Sequence, residues 1–550
     1  MSRANPIPRQ ETGLFAEWVA PLPASYSNHL ATPQPQRARL PWRPAVVLTL
    51  LMLTAAPRIV TAYRAETICP DGALYVRLAK AMEQGHLEQA LAGLHLNTFP
   101  VVLAAGHWLL GWDWDLVGRW WGVLAATLAV WPMFAWVRRQ FDDRIAVAAC
   151  LLYAAHPKLI EWSPEVIRDP TYWLLFVGSL ALLWRAVTEV RLHWFLLAGV
   201  TSTLCVLTRF EGLFLLIPLV LWTAMRWFAL RESRGRLLVG ALLCAGAFPA
   251  LLLVVNIWLL SGHAQFEAFR AEPFDRAAKW FTALLGAAPG EAESALSNLD
   301  LAWLFVDAMF RGITPLFLLL LFGGYFARRS VWDRSDHVPL FLVTIAVMAG
   351  VWIHIWFAHV GSSRYALTIV LLSTRCAGLG LLTASSWVSR MLVRNQEHPG
   401  RIAWIHAAAV ALLLASGNFE ALRHHDQQRE LRAALGRWVQ VTYGSDARVV
   451  CTEDIAYLIA HYNLAQPQGV VAGTDPQTLL YAINRVQPDV VALSRDRLPP
   501  EAIAAVEAHA QDWGLAATVT PEGSCPPNVF LRVRPLELRQ ARQPDANSAR

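Results

Sequence analysis

The sequence predicts a polytopic α-helical membrane protein that ends in a separate soluble α/β domain. Three observations carry that reading. The 550 residues are 55% hydrophobic and 16% charged, against roughly 25% charge in an ordinary soluble domain, so most of the chain needs an apolar solvent. Long apolar runs recur as far as residue 417, separated by arginine-rich loops that resemble cytoplasmic connections between spans. Beyond about residue 420 those runs give way to short alternating strand and helix patterns.

Tryptophan is abundant at 25 copies. Trp112, Trp114, Trp120, Trp162, Trp184 and Trp194 flank apolar runs, where an amphipathic ring suits the headgroup layer. The net charge of +6 comes from the inter-run loops and argues for membrane orientation; no nucleic-acid motif is present. The seven cysteines are scattered without a CxxC pair or metal-ligand spacing. Cys150, Cys205, Cys244 and Cys376 lie in apolar runs as small core residues. Cys451 and Cys525 fall in the tail, where a disulfide requires both an oxidising compartment and suitable geometry.

Residues 1–43 carry Pro and Arg but no short apolar stretch with a small-residue cleavage site, so they read as a cytoplasmic arm rather than a removed signal peptide. The first span, 44–63, follows Arg37, Arg39 and Arg43, which places the N-terminus in the cytoplasm. The first external loop, 64–115, holds a helix over 72–82 and an apolar segment, 99–110, too short to cross and therefore interfacial. Further spans are expected at 116–137, 144–157, 170–186, 194–209, 211–228, 237–260, 303–327, 338–358, 365–387 and 402–417. That is about eleven in all, with the C-terminus outside. The runs at 145–155 and 195–207 are short for a crossing and end in charge, as expected beside a polar cavity in the outer half of the membrane.

The membrane domain therefore covers 44–417, and 418–535 forms the extracytoplasmic α/β domain, followed by a disordered tail at 536–550. Within the soluble domain, strands are expected at 448–451, 469–472, 489–493, 516–519 and 529–533, with helices at 455–461, 476–486 and 500–513. No Gly-rich phosphate loop opens any of them. The whole chain is expected in the plasma (inner) membrane.

Ionisable residues near a bilayer are costly, so those on the outer side mark candidate sites. Asp71, in Cys69-Pro70-Asp71-Gly72, is either a helix N-cap or a carboxylate placed to accept a proton from a hydroxyl. Lys158, Glu161, Glu165, Arg168 and Asp169 cluster between two runs. Lys158 and Arg168 suit a phosphate, and the alternative is a solvated loop of mutually paired charges. His156 reads as a structural histidine. Thr208-Arg209-Phe210-Glu211-Gly212 interrupts a long apolar stretch, and Arg209 with Glu211 forms either a polar site or a simple pair. Arg364, before Tyr365, is a second phosphate donor or an interfacial anchor.

Together, the N-in first helix, the early loop acid, the arginine turn at 208–212, the Arg364-Tyr365 pair and the external α/β tail resemble the GT-C glycosyltransferases. The likeness is to the branch of protein O-mannosyltransferases and lipid A aminoarabinose transferases, and it covers the whole chain at the level of architecture. It implies that Asp71 is the catalytic base, followed by Tyr75 at the family's usual distance. It also implies that Arg209 and Arg364, with Lys158 and Arg168 by loop position, contact the donor phosphate. Many members carry a second acid after the first, whereas Gly72 stands here, which weakens a two-acid mechanism.

The resemblance implies inverting transfer of a sugar from polyprenyl phosphate to a hydroxyl of a protein, lipid or glycan. Membrane lipids are partners and nucleic acid is not. No cofactor is assigned. A divalent metal would fall to Glu165 or Asp169, although no ligand spacing supports one. The rivals are a transporter, against which the absence of a repeated half counts, and a non-catalytic membrane scaffold. Acceptor choice is assigned to the external loops, including 261–300.

Overall fold

A computed structural model describes residues 44–65, 67–86, 97–259, 298–326, 337–392, 415–419, 427–444, 446–452, 469–471, 476–495, 498–517 and 529–535, with isolated positions between them. The N-terminal arm, most of the loop 261–300, most of the span at 402–417, most of the helix at 455–461, Cys525 and the tail at 536–550 lie outside the described residues. The chain divides into two compact units, 1–64 with 86–423 and 65–85 with 424–550.

The first unit is helical. It contains α1 (Pro44–Arg64), with α2 (Pro70–Glu83) of the second unit intervening in the chain, then α3 (Thr98–Leu110), α4 (Trp114–Leu128), α5 (Val130–Gln140), α6 (Asp143–Ala155), α7 (Pro157–Glu161), α8 (Asp169–Glu189) and α9 (Leu192–Thr208). A 3-10 turn (Phe210–Leu215) leads into α10 (Leu216–Ala229), followed by α11 (Arg234–Leu259), α12 (Asn298–Ile313), α13 (Pro315–Phe326) and α14 (Val338–Ala358). A second 3-10 turn (Ser363–Ala366) opens α15 (Leu367–Leu392).

Among the described residues seven helices are long and apolar enough to cross a membrane, or eight if the bent pair α12–α13 counts as one span. The described residues thus account for fewer than the expected eleven or so, with most of the run at 402–417 lying outside them. The runs at 144–157 and 194–209 form helices of 13 and 17 residues, below the length of an ordinary crossing. The run at 303–327 is broken by 82° between Ile313 and Pro315, because Thr314 adopts a positive φ of 65° and Pro315 cannot continue the hydrogen-bond ladder. The segment 99–110 is a short apolar helix, as the sequence indicates. Its Trp108, Leu109 and Leu110 are exposed.

α15 is the most buried of these spans: 89% of its apolar stretch is buried, against 17% for the span Arg231–Leu251, which overlaps α11. It packs closely on α13 through paired glycines. A Cβ on Gly380 would stand 1.8 Å from the Leu320 carbonyl oxygen, and one on Gly324 would stand 1.9 Å from that of Cys376. Without a strong hydrophobic force between helices in lipid, such backbone approach is what association rests on.

The second unit joins α2 to the C-terminal domain, so the stretch 65–85, expected within the membrane domain's external loop, groups with that domain. That domain contains α16 (Gln427–Tyr443), β1 (Val449–Thr452), β2 (Gly469–Val471), α17 (Pro476–Val486), β3 (Val490–Ser494), α18 (Pro500–His509), β4 (Ala516–Ala517) and β5 (Val529–Val533). The sheet order is β2-β1-β3-β5-β4, parallel at β1–β2 and β1–β3 and antiparallel at β3–β5 and β4–β5.

Side-chain alternation sends Val449, Cys451, Val490 and Ala492 to one face, where Leu435, Val439 and Tyr443 of α16 cover them. Val450, Val491 and Leu493 go to the other, under Leu479 and Ile483 of α17 and Ile503 and Val506 of α18. This is the period-two pattern of a sheet buried on both faces. The buried Asp489 accepts from the Arg448 backbone N–H at 3.0 Å and lies 3.6 Å from Arg534 Nε.

Candidate active site

The polar centre of the first unit is assembled where several helices end. α9 stops at Thr208 because Arg209 is extended (φ −145°, ψ 135°), and the chain then doubles back in a 3-10 turn. Gly212 is required there: a Cβ would stand 2.6 Å from the Val206 backbone nitrogen. α8 begins at Asp169, with Pro170 in its first turn, an arrangement that suits both the missing proline N–H and the positive end of the helix dipole.

These two chain ends meet at Arg209, which is 6% exposed. Its Nη1 donates to Asp169, itself 2% exposed, and its Nη2 donates to Glu211 Oε1. Its Nε donates to Glu211 Oε2 at 3.2 Å. Arg209 Cζ lies 5.5 Å from the ring centroid of Tyr172 and 6.0 Å from that of Tyr365. One guanidinium is therefore engaged by two carboxylates between two aromatic rings, and the three charges sum to a single negative charge. Arg168 is close enough to act electrostatically on Glu211.

Tyr365 belongs to the turn that opens α15, and its hydroxyl is 3.1 Å from His354 Nε2 of α14. The neighbouring Arg364 has its Cζ 5.8 Å from the Trp162 ring and 5.4 Å from that of Tyr365. On another side, Thr208 Oγ1 donates to the Leu204 carbonyl at 2.7 Å. The 2.5 Å contact between Thr98 Oγ1 and Thr208 Oγ1 is therefore donated by Thr98, which anchors the start of α3 at the arginine turn. Trp121 Nε1 donates to Thr171 Oγ1 at 2.8 Å, tying α4 to the first turn of α8.

Asp169, Arg209, Glu211 and Tyr365 thus come together, with Arg168 and Arg364 at their margin. Lys158 instead pairs with Glu161 at 2.6 Å, the local pairing that the sequence left open. Glu165 lies in the segment between α7 and α8, with its carbonyl against Gly122 of α4. Asp71 and Tyr75 are on α2 in the second unit. The N-cap alternative for Asp71 is corrected: Cys69 is the N-cap, Pro70 opens the helix and Asp71 sits within its first turn. Tyr75 follows at i+4 on the same helix face and is buried.

Among the described residues no group of three or more His, Cys, Asp or Glu side chains is arranged to hold a metal ion. Asp169, one of the two candidate ligands, is engaged by Arg209.

Sequence reasoning missed Tyr172, His354 and the Thr98–Thr208 link. Tyr172 follows Asp169 at i+3 on one helix face, and His354 is an ionisable residue inside an apolar run; both signals are present in the sequence. The threonine link joins residues 110 positions apart, and no local pattern announces it.

Residues 99–258 match the family of dolichyl-phosphate-mannose-protein mannosyltransferases. No curated protein matches the sequence. Among solved structures, ArnT from Cupriavidus metallidurans bound to undecaprenyl phosphate is similar with a TM-score of 0.53 at 14% identity, over 89% of this chain and 98% of that one. The Archaeoglobus fulgidus oligosaccharyltransferase in the apo form gives 0.53 at 14% identity, over 83% and 70% of the two chains. AglB from the same organism, in complex with an inhibitory peptide and a dolichol-phosphate, gives 0.52 at 14% identity, over 89% and 76%. The chain has the GT-C membrane fold with a C-terminal α/β domain, and it resembles the branch that holds protein mannosyltransferases and ArnT.

Proposed function

We propose that this protein is a membrane glycosyltransferase that moves a sugar from a polyprenyl-phosphate donor to an acceptor hydroxyl at the outer face of the plasma membrane, with inversion. The observation that carries this reading is the fold shared over 89% of this chain and 98% of ArnT, whose structure holds undecaprenyl phosphate. The matched family segment, 99–258, adds weight because it contains the Asp169–Arg209–Glu211 cluster.

Asp71 takes the proton of the acceptor hydroxyl as that oxygen bonds to the anomeric carbon and the bond from carbon to phosphate oxygen breaks. A single displacement of this kind inverts the configuration. The leaving group is the polyprenyl phosphate, and its developing charge needs fixed cations. Arg364 and Arg168 are assigned that role. Arg209 is engaged by Asp169 and Glu211, so it is assigned the ordering of the site.

The stretch 65–85 and the α/β domain share one compact unit, which supports placing Asp71 and the tail on the same side of the membrane. That side is external if α1 enters from the cytoplasm. The acceptor is a hydroxyl compound of the cell envelope: a protein, lipid or glycan.

The test is transfer of labelled sugar from polyprenyl-phosphate donors by the purified protein in lipid nanodiscs, comparing the natural chain with Asp71→Asn. Loss of transfer with unchanged thermal stability is expected. Full activity in Asp71→Asn would remove Asp71 as base.

A further inference from the structure

We propose that Arg58 of α1 is a positioning residue: it caps the broken end of α6 from a neighbouring helix and thereby fixes the segment 156–168 that leads into the site. Its effect on transfer rests on the glycosyltransferase reading above. The capping itself does not.

Arg58 is fully buried within an apolar span, where a guanidinium is costly unless its donors are satisfied. Among the described residues no carboxylate pairs with it. Its Nε donates to Ser163 Oγ at 3.0 Å, and its Nη1 donates to the Thr54 carbonyl at 2.8 Å and the Ala154 carbonyl at 3.3 Å. Its Nη2 donates to the Tyr153 carbonyl at 3.4 Å. The guanidinium also lies over the Tyr153 ring at 5.2 Å.

The reason those carbonyls need a donor is local. α6 ends at Ala155 because His156 is extended (ψ 116°), and Pro157 has no N–H to return to Tyr153. The last carbonyls of a helix also carry the negative end of its dipole. Arg58 meets both needs at once.

The same guanidinium reaches past α7 to Ser163, whose hydroxyl donates in turn to the Leu159 carbonyl. On the far side Ser163 is pressed against α4: a Cβ on Gly122 would stand 2.2 Å from its carbonyl oxygen. Ser163 is thus held between α1 and α4. Trp162 beneath Arg364 precedes it, and Arg168 and Asp169 follow within a segment whose Val166 is seated on Gly118. A lysine would keep the charge but cannot span Ser163 and the α6 carbonyls with one ammonium group.

The experiment uses the full chain in nanodiscs with Arg58→Lys, Arg58→Met and Ser163→Ala. Amide hydrogen exchange over 153–168 is read beside transfer kinetics from a polyprenyl-phosphate sugar. Faster exchange confined to 153–168 is expected in all three, with kcat/KM lowered by about tenfold or more in Arg58→Met and not restored in Arg58→Lys. If the Arg58 variants fail to fold, Ser163→Ala decides, since it removes only one hydroxyl, with its bonds to Arg58 and the Leu159 carbonyl. Unchanged exchange in that segment, restoration by lysine, or altered exchange with unchanged kinetics would overturn the proposal. Absence of transfer by the natural protein would count against the glycosyltransferase reading instead, and the exchange result would still decide whether Arg58 is the cap.

Discussion

Asp169 and Arg209, forty positions apart in the chain, form an ion pair whose side chains are 2% and 6% exposed. The pair joins the first turn of α8 to the end of α9, and Glu211 closes the other edge of the guanidinium. A buried charge deprived of its partner is far more costly than the intact pair is favourable.

Asp169→Ala is expected to destabilise the protein by about 1–3 kcal/mol, because Arg209 Nη1 loses its buried acceptor while Glu211 still neutralises the guanidinium. Thermal unfolding of the purified variant in nanodiscs measures this. A melting temperature equal to that of the natural chain would show that the pair is dispensable.

Arg209→Lys keeps the charge and loses the planar fork that spans both carboxylates. Transfer is expected to fall by about tenfold or more, because an ammonium group lacks the three separate nitrogens with which Arg209 meets Asp169 and Glu211. Steady-state kinetics with a polyprenyl-phosphate donor check it; near-natural kcat/KM would mean that charge, not geometry, is what the turn requires.

Arg364→Ala should act differently. Because Arg364 is assigned to the donor phosphate and is not the hub of the buried cluster, stability is expected to change little while kcat/KM for the donor drops by about tenfold. Parallel melting and kinetic measurements separate the two effects, and a drop in melting temperature as large as that of Asp169→Ala would point to a structural role.

Gly122→Ala tests the clamp on the segment between α7 and α8. The added Cβ would stand 2.2 Å from the Ser163 carbonyl oxygen, which is backbone and cannot swing aside, so about 1–3 kcal/mol of destabilisation is expected from the forced shift. Retention of both stability and transfer in this variant would show that α4 yields easily.

In the C-terminal α/β domain, Asp489 receives the Arg448 N–H and lies near the buried Arg534 guanidinium. Asp489→Ala removes the acceptor of the Arg448 N–H and the carboxylate that faces Arg534, and is expected to loosen the ends of β1 and β5. Limited proteolysis of the full chain should then cut first within 424–535, and an unaltered cleavage pattern would contradict this.

Apolar runs, basic loops and turn residues mark out most of the helices in advance, since lipid solvation and backbone satisfaction act along contiguous stretches of chain. α17 and β5 fall at 476–486 and 529–533, as their local patterns indicate. The 427–443 helix is not legible in the same way; its charged N-terminal half obscures the apolar stripe of Leu435, Val439 and Tyr443 that meets the sheet.

Residue chemistry also marks Asp169, Arg209, Glu211 and Tyr365 as candidates, because charge interrupting an apolar run is rarely incidental. What the sequence could not supply is who pairs with whom. Lys158 turns to Glu161, Arg209 to Asp169 across forty positions, and Arg58 to carbonyls that a proline four residues beyond Tyr153 leaves open. The grouping of 65–85 with the tail is of the same kind. Local pattern determines which segments are helices and where charge is carried. Only the packing of distant segments decides which charges are neutralised, because burial and hydrogen-bond geometry are properties of neighbours in space.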